Sequence, residues 1–292
     1  MANLKEIKRK ISSVKGTQKT TRAMKLVSSA KLKRAEEVAK RSKVYATKLT
    51  ELLNEISAKL TKSNGGIDSI FFKENPNPKV VDILFITADK GLCGAFNHQT
   101  IKRVNSLLKK YKDTNIRLSG IGKKGIAYFK YNKVDMINEV ENLSSSPDYE
   151  KAQEFISKLV KDYEEGRTDK IILVYNGYVN MITQEVVELQ LLPVDSSKVV
   201  SNSVSMSELE VEPDDDDTLV EELTKKYIDY SMYYSLLNSL AAEHSARMQA
   251  MDAATNNAKE MVKKLTVAYN KARQEAITTE LIEIISGMES LK

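Results

Sequence analysis

The chain has 292 residues, 29% of them charged and 41% hydrophobic, with no tryptophan and a formal net charge of +5. This length supports one large domain or two ordinary ones, and the composition favours long helices over disorder or a disulfide scaffold. A single cysteine excludes an intrachain disulfide and suits a reducing compartment, and with only two histidines beside it zinc has no ligand set.

The net charge hides an uneven distribution. Residues 1–48 hold fifteen Lys and Arg against Glu6, Glu36 and Glu37, whereas residues 208–222 hold nine acids and no base. The opening "MANLKEIKRK" has no apolar core of the kind a secretory leader needs, so none is expected. No run approaches the roughly twenty apolar residues that a membrane span requires.

Glycine and proline are confined. Neither occurs between Thr17 and Asn64 or between Asp214 and Ser286, which predicts a long helix at each end of a compact middle. The first helix carries a seam at Leu32, Ala35, Ala39, Ser42, Ala46, Leu49, Leu53, Ile56 and Leu60, preceded by Leu4, Ile7, Ile11 and Val14. Between Gln18 and Ser28 this register meets polar residues (Gln18, Thr21, Lys25, Ser28), so the stripe is expected to shift toward Met24 and Val27.

From Pro78 to Pro193 the pattern alternates. "VVDILFIT" predicts a buried strand, "GAFNHQTIKRVNSLLKKYK" a helix, and "IRLSGIG" a strand. "SPDYEKAQEFISKLVKDY" then predicts a helix, "DKIILVYNGY" a buried strand, and "TQEVVELQLLP" an edge strand. This order implies a Rossmann-like α/β sheet.

The last segment alternates steps of four and three from Leu223 through Tyr227, Tyr230, Tyr234, Leu237, Ala241, His244, Met248, Met251, Thr255, Ala258, Val262, Leu265, Tyr269 and Ala272 to Ala276. The 3.5-residue mean keeps one seam facing a partner helix. About seventy helical residues make a rod of roughly 105 Å, longer than a globular domain of this mass. The expected architecture is α/β plus a long antiparallel two-helix coiled coil, the N- and C-terminal helices forming a stalk on a Rossmann-like α/β foot. Its parts are an N-terminal coiled-coil helix (1–62), the foot (63–212) and a C-terminal coiled-coil helix (213–292). Ala and Ser at many seam positions make the coil slim.

Candidate sites are few. Cys93 lies in "DKGLCGAFN", where Gly91 and Gly94 suit a sharp strand-to-helix turn. The spacing there is G-x-x-G, without the third glycine of a dinucleotide loop or the Gly-Lys-Ser/Thr of a P-loop. His98 is the only nearby base for a thiol nucleophile and is poorly placed to face it, so a small packing residue is expected. His244 falls on the seam and is expected to pack there. "PDDDD" (213–217) suits the positive N-terminal end of the last helix. The basic arm suits nucleic-acid phosphates but lacks an aromatic stacking platform, which leaves a basic coiled-coil nucleic-acid-binding protein as the alternative.

Four strings decide between these. "TQKTTRAMKLVSSAKLKRAEE" (17–37), "TADKGLCGAFN" (87–97), "AAEHSARMQAMDAATNNA" (241–258) and "YNKARQEAITTELIEIISGMESL" (269–291) resemble, in order and spacing, the gamma-subunit family of F-type ATP synthases. Thr279 and Met288 depart from the Gln and Ala usual there. The resemblance implies a non-catalytic central rotor shaft that couples ion flow through a membrane c ring to ATP synthesis, or to hydrolysis in reverse. It implies three alpha and three beta subunits around the shaft, with epsilon and the c ring at the foot. No cofactor, metal or nucleic acid is implied, and membrane contact comes only through the complex. Arg273, Gln274, Thr278 and Glu280 match positions meeting a beta subunit, and Asp89 and Lys90 resemble a second such place. Met24 matches a coupling position on the shaft, and Glu212, Pro213 and Asp214 the segment near the c ring and epsilon. The basic arm then suits diffuse attraction to acidic loops on beta. No transit peptide is recognisable, so the cytoplasmic side of a bacterial inner membrane is expected.

Overall fold

The computed structural model describes residues 4–63, 69–194 and 216–289; the side chains of 54–63, 216–219 and 289 lie outside the description. The chain divides into two compact units, Ala30–Ala246 and the pair Met1–Ser29 with Arg247–Lys292. Helices α1 (Leu4–Ser63) and α5 (Asp216–Glu289) supply residues to both.

The unit Ala30–Ala246 is built on a five-stranded sheet. Its elements are β1 (Val80–Ile86), α2 (Phe96–Lys110), β2 (Asn115–Ile121), α3 (Lys123–Tyr131), β3 (Met136–Val140), α4 (Tyr149–Glu164), β4 (Lys170–Tyr178) and β5 (Gln184–Leu192). The strand order is β3-β2-β1-β4-β5, parallel except for β5, which runs antiparallel to β4 at the edge. Strand β1 reads as an apolar run broken only by Asp82 because both of its faces are covered. Val81, Ile83 and Phe85 meet α2 and α3 through Ile101, Val104, Leu107, Ile126 and Phe129. Leu84 and Ile86 face the other way, toward Phe155, Ile156 and Leu159 of α4 and Ile228, Met232 and Leu236 of α5. Helix α4 starts after Pro147, where the Asp148 carboxylate accepts the Lys151 amide at 3.0 Å.

All six elements expected between Pro78 and Pro193 are present, and the edge strand is β5. Two more stand between them, α3 and β3. Helix α3 has nine residues and opens in a glycine-rich turn, and β3 has five, so neither gives a periodic signal of useful length.

A charged cluster lies within the sheet. Asp82, fully buried on β1, receives both branches of the Arg117 guanidinium from β2, at 2.6 and 2.8 Å. Arg117 also reaches Asp162 of α4 at 2.5 Å, and Arg167 closes the cluster on Asp162. Burial pushes the Asp82 carboxyl up, and Arg117 draws it back only in part.

In the other unit two helical segments run antiparallel. Thr255 bonds Thr21 at 2.8 Å, and Lys25 meets Asp252 at 2.6 Å. Leu4, Ile7, Ile11, Val14, Gln18, Thr21 and Ser28 on α1 are buried or half-buried, as are Met251, Thr255, Ala258, Val262, Leu265, Tyr269, Ala272 and Ala276 on α5. The expected shift toward Val27 does not occur, since Val27 is 57% exposed while Ser28 is buried. The heptad register continues through its polar stretch because hydroxyls and an ion pair satisfy one another across the seam. The Lys25–Asp252 pair is partly solvated and contributes at most about 1 kcal/mol.

Gly16 lies on an exposed face of α1, and a Cβ added there meets nothing within 4 Å. Gly16→Ala is expected to stabilise the isolated chain by about 0.8 kcal/mol through helix propensity alone. Urea denaturation followed by circular dichroism measures this, and a loss of stability would contradict it.

Candidate functional site

The crevice where an open α/β sheet usually takes a ligand lies at the carboxyl ends of the strands where strand order reverses. Here that point is between β1 and β4, and the chain fills it with its own helix. Ala242 and Ala246 of α5 pack there against Ala88, Cys93, Phe96 and Tyr178. Asn238 of α5 accepts the Tyr178 amide at 3.0 Å, and Gln184 donates to the Ser245 hydroxyl at 2.8 Å.

Cys93 is therefore a packing residue. It is 2% exposed, more deeply buried than a half-covered turn position; its thiol donates to the Lys90 carbonyl and accepts from the Asn97 amide at 3.3 Å. His98 is exposed on α2, whereas His244 is buried in α5, as its seam position suggests. Gly94 has φ 58°, as a sharp turn requires. The other left-handed residue is not Gly91 but Leu92, at φ 63°. A leucine held there costs about 1 kcal/mol or more, and its side chain is 64% exposed.

One motif escaped the sequence reading. "GIGKKG" (Gly120–Gly125) has G-x-G-x-x-G spacing, from the last residues of β2 into the start of α3, which is close to the layout of a dinucleotide loop. Its glycines do allow close approach. A Cβ on Gly122 falls 1.9 Å from the Thr87 carbonyl oxygen, and one on Gly125 falls 2.5 Å from the Phe85 ring. The Gly125 amide donates to the Thr87 hydroxyl at 2.9 Å. The place of the phosphate, however, is taken by Asp89. Its carboxylate accepts the Lys123 amide at the start of α3 (3.1 Å), the Asn142 amide (3.0 Å) and the Ser144 hydroxyl (2.9 Å). Burial opposes the charge on Asp89, but these donors outweigh it and hold the carboxyl below the usual carboxylate range. A phosphate entering here would meet a fixed negative charge.

The remaining candidate residues lie on surfaces. Lys90 is exposed in the turn after Asp89. Arg273, Gln274, Thr278 and Glu280 are all exposed on α5. Gln274 and Thr278 are one turn apart, the Thr278 hydroxyl donating to the Gln274 carbonyl at 2.9 Å. Arg273 and Glu280 lie two turns apart on another strip, about 130° around the helix from the first. Met24 is half-buried in the two-helix seam beside Lys25. Glu212, Pro213 and Asp214 lie outside the described residues. Beyond Ala276 the seam ends, yet Ile277, Leu281, Ile282, Ile284, Ile285 and Met288 follow, each 49–65% exposed. These six escaped the sequence reading, although Ile277, Leu281, Ile284, Ile285 and Met288 recur at helical spacing on one face, a visible signal. Among the described residues no helix is long and apolar enough to cross a membrane, and no group of acids, His and Cys gathers to hold a metal.

The comparisons with known proteins agree with this layout. The family model described as ATP synthase matches residues 3–291. Over full length the chain is 67% identical to an ATP synthase gamma chain of a Sulfurovum species, 100% of each being covered. It is 60% identical to that of a Nitratiruptor species, again covering 100% of both. The chain belongs to the ATP synthase gamma-chain family. Among solved structures, a chain of the Euglena gracilis mitochondrial ATP synthase (OSCP/F1/c-ring) shares the fold with a TM-score of 0.68 at 18% identity, covering 99% of this chain and 94% of that one. One from the Tetrahymena thermophila central stalk/c-ring structure gives 0.63 at 24% identity, covering 80% and 99%. The resemblance carried by the four sequence blocks is thus borne out. As a family member the chain is a subunit of ATP synthase, peripheral to the membrane, and not the catalytic one.

Proposed function

We propose that this chain is the central rotor shaft of an F-type ATP synthase, transmitting rotation from a membrane c ring to catalytic sites on surrounding alpha and beta subunits, or back from them. In this reading residues 1–62 and 213–292 form the shaft and 63–212 the foot, where epsilon and the c ring are met, with Glu212, Pro213 and Asp214 close by. Arg273, Gln274, Thr278, Glu280, Asp89 and Lys90 belong to contacts with beta, and Met24 to the shaft at coupling height. The assembly sits on the cytoplasmic side of a bacterial inner membrane. Such a part does no bond chemistry; it shifts the populations of open and closed catalytic sites by touching them differently at each angle.

The observation that supports this most is the end of α5. Six large apolar side chains from Ile277 to Met288 are about half or more exposed, beside and beyond the exposed Arg273, Gln274 and Thr278. Contiguous exposed apolar surface of this kind calls for a socket, and a ring of subunits around a shaft tip supplies one.

Arg273→Ala tests the reading. The residue is exposed, so the isolated chain should change in stability by no more than about 0.5 kcal/mol. In membranes carrying the variant, ATP synthesis is expected to fall about tenfold, the scale of one charge-assisted contact. Normal synthesis would refute the role given to Arg273.

A further inference from the structure

We propose that the groove between α4 and α5 binds a small organic ammonium ion, with Asp229 as its counter-charge and Tyr149 as its aromatic wall, an inference independent of the rotor-shaft reading above. The groove has a volume of about 490 Å³, and Gln153 and Lys161 of α4 and Glu222, Lys226 and Asp229 of α5 are among its walls. Most of its charges are already balanced. Lys225 meets Glu164 at 2.6 Å, Lys161 meets Glu165 at 4.0 Å, and Glu222 stands one turn from Lys226, where opposite charges on a helix offset one another. Asp229 is left over. It is 8% exposed, and among the described residues its one hydrogen bond comes from the neutral side-chain amide of Gln153, at 2.7 Å. Burial pushes its carboxyl up, and Gln153 draws it back only in part. A carboxylate buried this deeply ordinarily has a cation beside it, and the groove leaves room for one.

The neighbouring rings decide which kind. Tyr149 lies one turn before Gln153 on the same face of α4 and meets Tyr233 of α5 edge to face, their centroids 5.6 Å apart. Tyr230 lies 6.5 Å from Tyr149 and 4.4 Å from Tyr45 of α1. Burial first, and then the charge of Asp229, raises the Tyr149 phenol, so the carboxylate lies within electrostatic reach of that ring. One carboxylate beside clustered aromatic rings is the chemistry that recognises quaternary and alkyl ammonium groups, whose charge is drawn to the ring faces and whose carbon periphery gains from leaving water. A metal ion calls for several oxygen ligands, and among the described residues no such group of acids gathers. A polyamine fits poorly as well. Arg41 lines the adjoining cavity with Tyr45, Tyr149 and Tyr230, where it repels a second positive charge. The fit is to a monocation.

Choline and spermidine are titrated at pH 8 into the full-length chain and into its Asp229→Asn, Tyr149→Leu and Tyr149→Phe variants, with binding read by calorimetry and by melting temperature. Choline is expected to bind the natural chain with a Kd of about 1 mM, the scale of one charge contact aided by ring faces. Asp229→Asn removes the charge and keeps the shape. It should bind choline about tenfold more weakly or worse, and choline should raise the melting temperature of the natural chain but not of this variant. Tyr149→Leu should weaken binding about fivefold, whereas Tyr149→Phe, which keeps the ring, should bind as the natural chain does. Spermidine should bind no more tightly than choline. Absence of saturable choline binding, or binding that Asp229→Asn leaves unchanged, overturns the site. Equal losses in Tyr149→Leu and Tyr149→Phe overturn the aromatic wall, and tighter binding of spermidine overturns the choice of a monocation.

Discussion

Gly122→Ala is expected to destabilise the unit Ala30–Ala246 by about 4 kcal/mol, lowering its melting temperature by roughly 10 °C. Two costs combine. The residue has φ 99°, which a side chain adopts only under strain of about 1–3 kcal/mol. The new Cβ also falls 1.9 Å from the carbonyl oxygen and 2.6 Å from the carbonyl carbon of Thr87. That carbonyl directly follows the central strand β1, so it cannot swing aside as the end of a flexible side chain would. Gly166→Ala is the control, because φ is 69° there but nothing lies within 4 Å. It should cost only about 1 kcal/mol. Calorimetry on the two variants separates backbone strain from collision, and equal losses would refute the collision.

Arg117→Ala is expected to cost about 3–5 kcal/mol at pH 8, because it leaves Asp82 buried without its partner. The loss should shrink on acidification. Burial already pushes the Asp82 carboxyl up, and removing Arg117 takes away what draws it down. An acid whose folded value lies above its unfolded one binds a proton more readily when folded. The variant therefore gains stability as pH falls and loses it as pH rises through the raised value. Denaturant titrations at pH 5 and pH 8 read this out, and a loss independent of pH would mean that Asp82 keeps its charge by another route. Replacing both partners with apolar residues of similar size should cost much less than either single change.

The terminal helices were legible because glycine and proline are absent from all but their ends and the pattern repeats at 3.5 residues, and the buried strands because both faces need apolar cover. What the sequence hid has physical reasons. Thr21, Lys25 and Ser28 looked like a break in the seam because a hydrophobic stripe counts only apolar residues, whereas the partner helix offers Thr255 and Asp252. Helix α3 and strand β3 were too short to show a period. The role of Asp89 was invisible because its partners are 34, 53 and 55 residues away along the chain. The exposed positions Arg273, Gln274 and Thr278 came from a family resemblance, since solvent-facing polar residues on a helix have no pattern of their own.

The carboxylate of Asp89 at the start of α3 has a consequence for how such a part behaves in a cell. Being tethered to the chain, it stays at a high effective concentration beside these amides, and a free anion would have to compete with it there. A Rossmann-like scaffold thereby supplies its own anion at the helix start. In the rotor-shaft reading, what such a part transmits is angle and torque, with the helix start already occupied by the chain's own carboxylate.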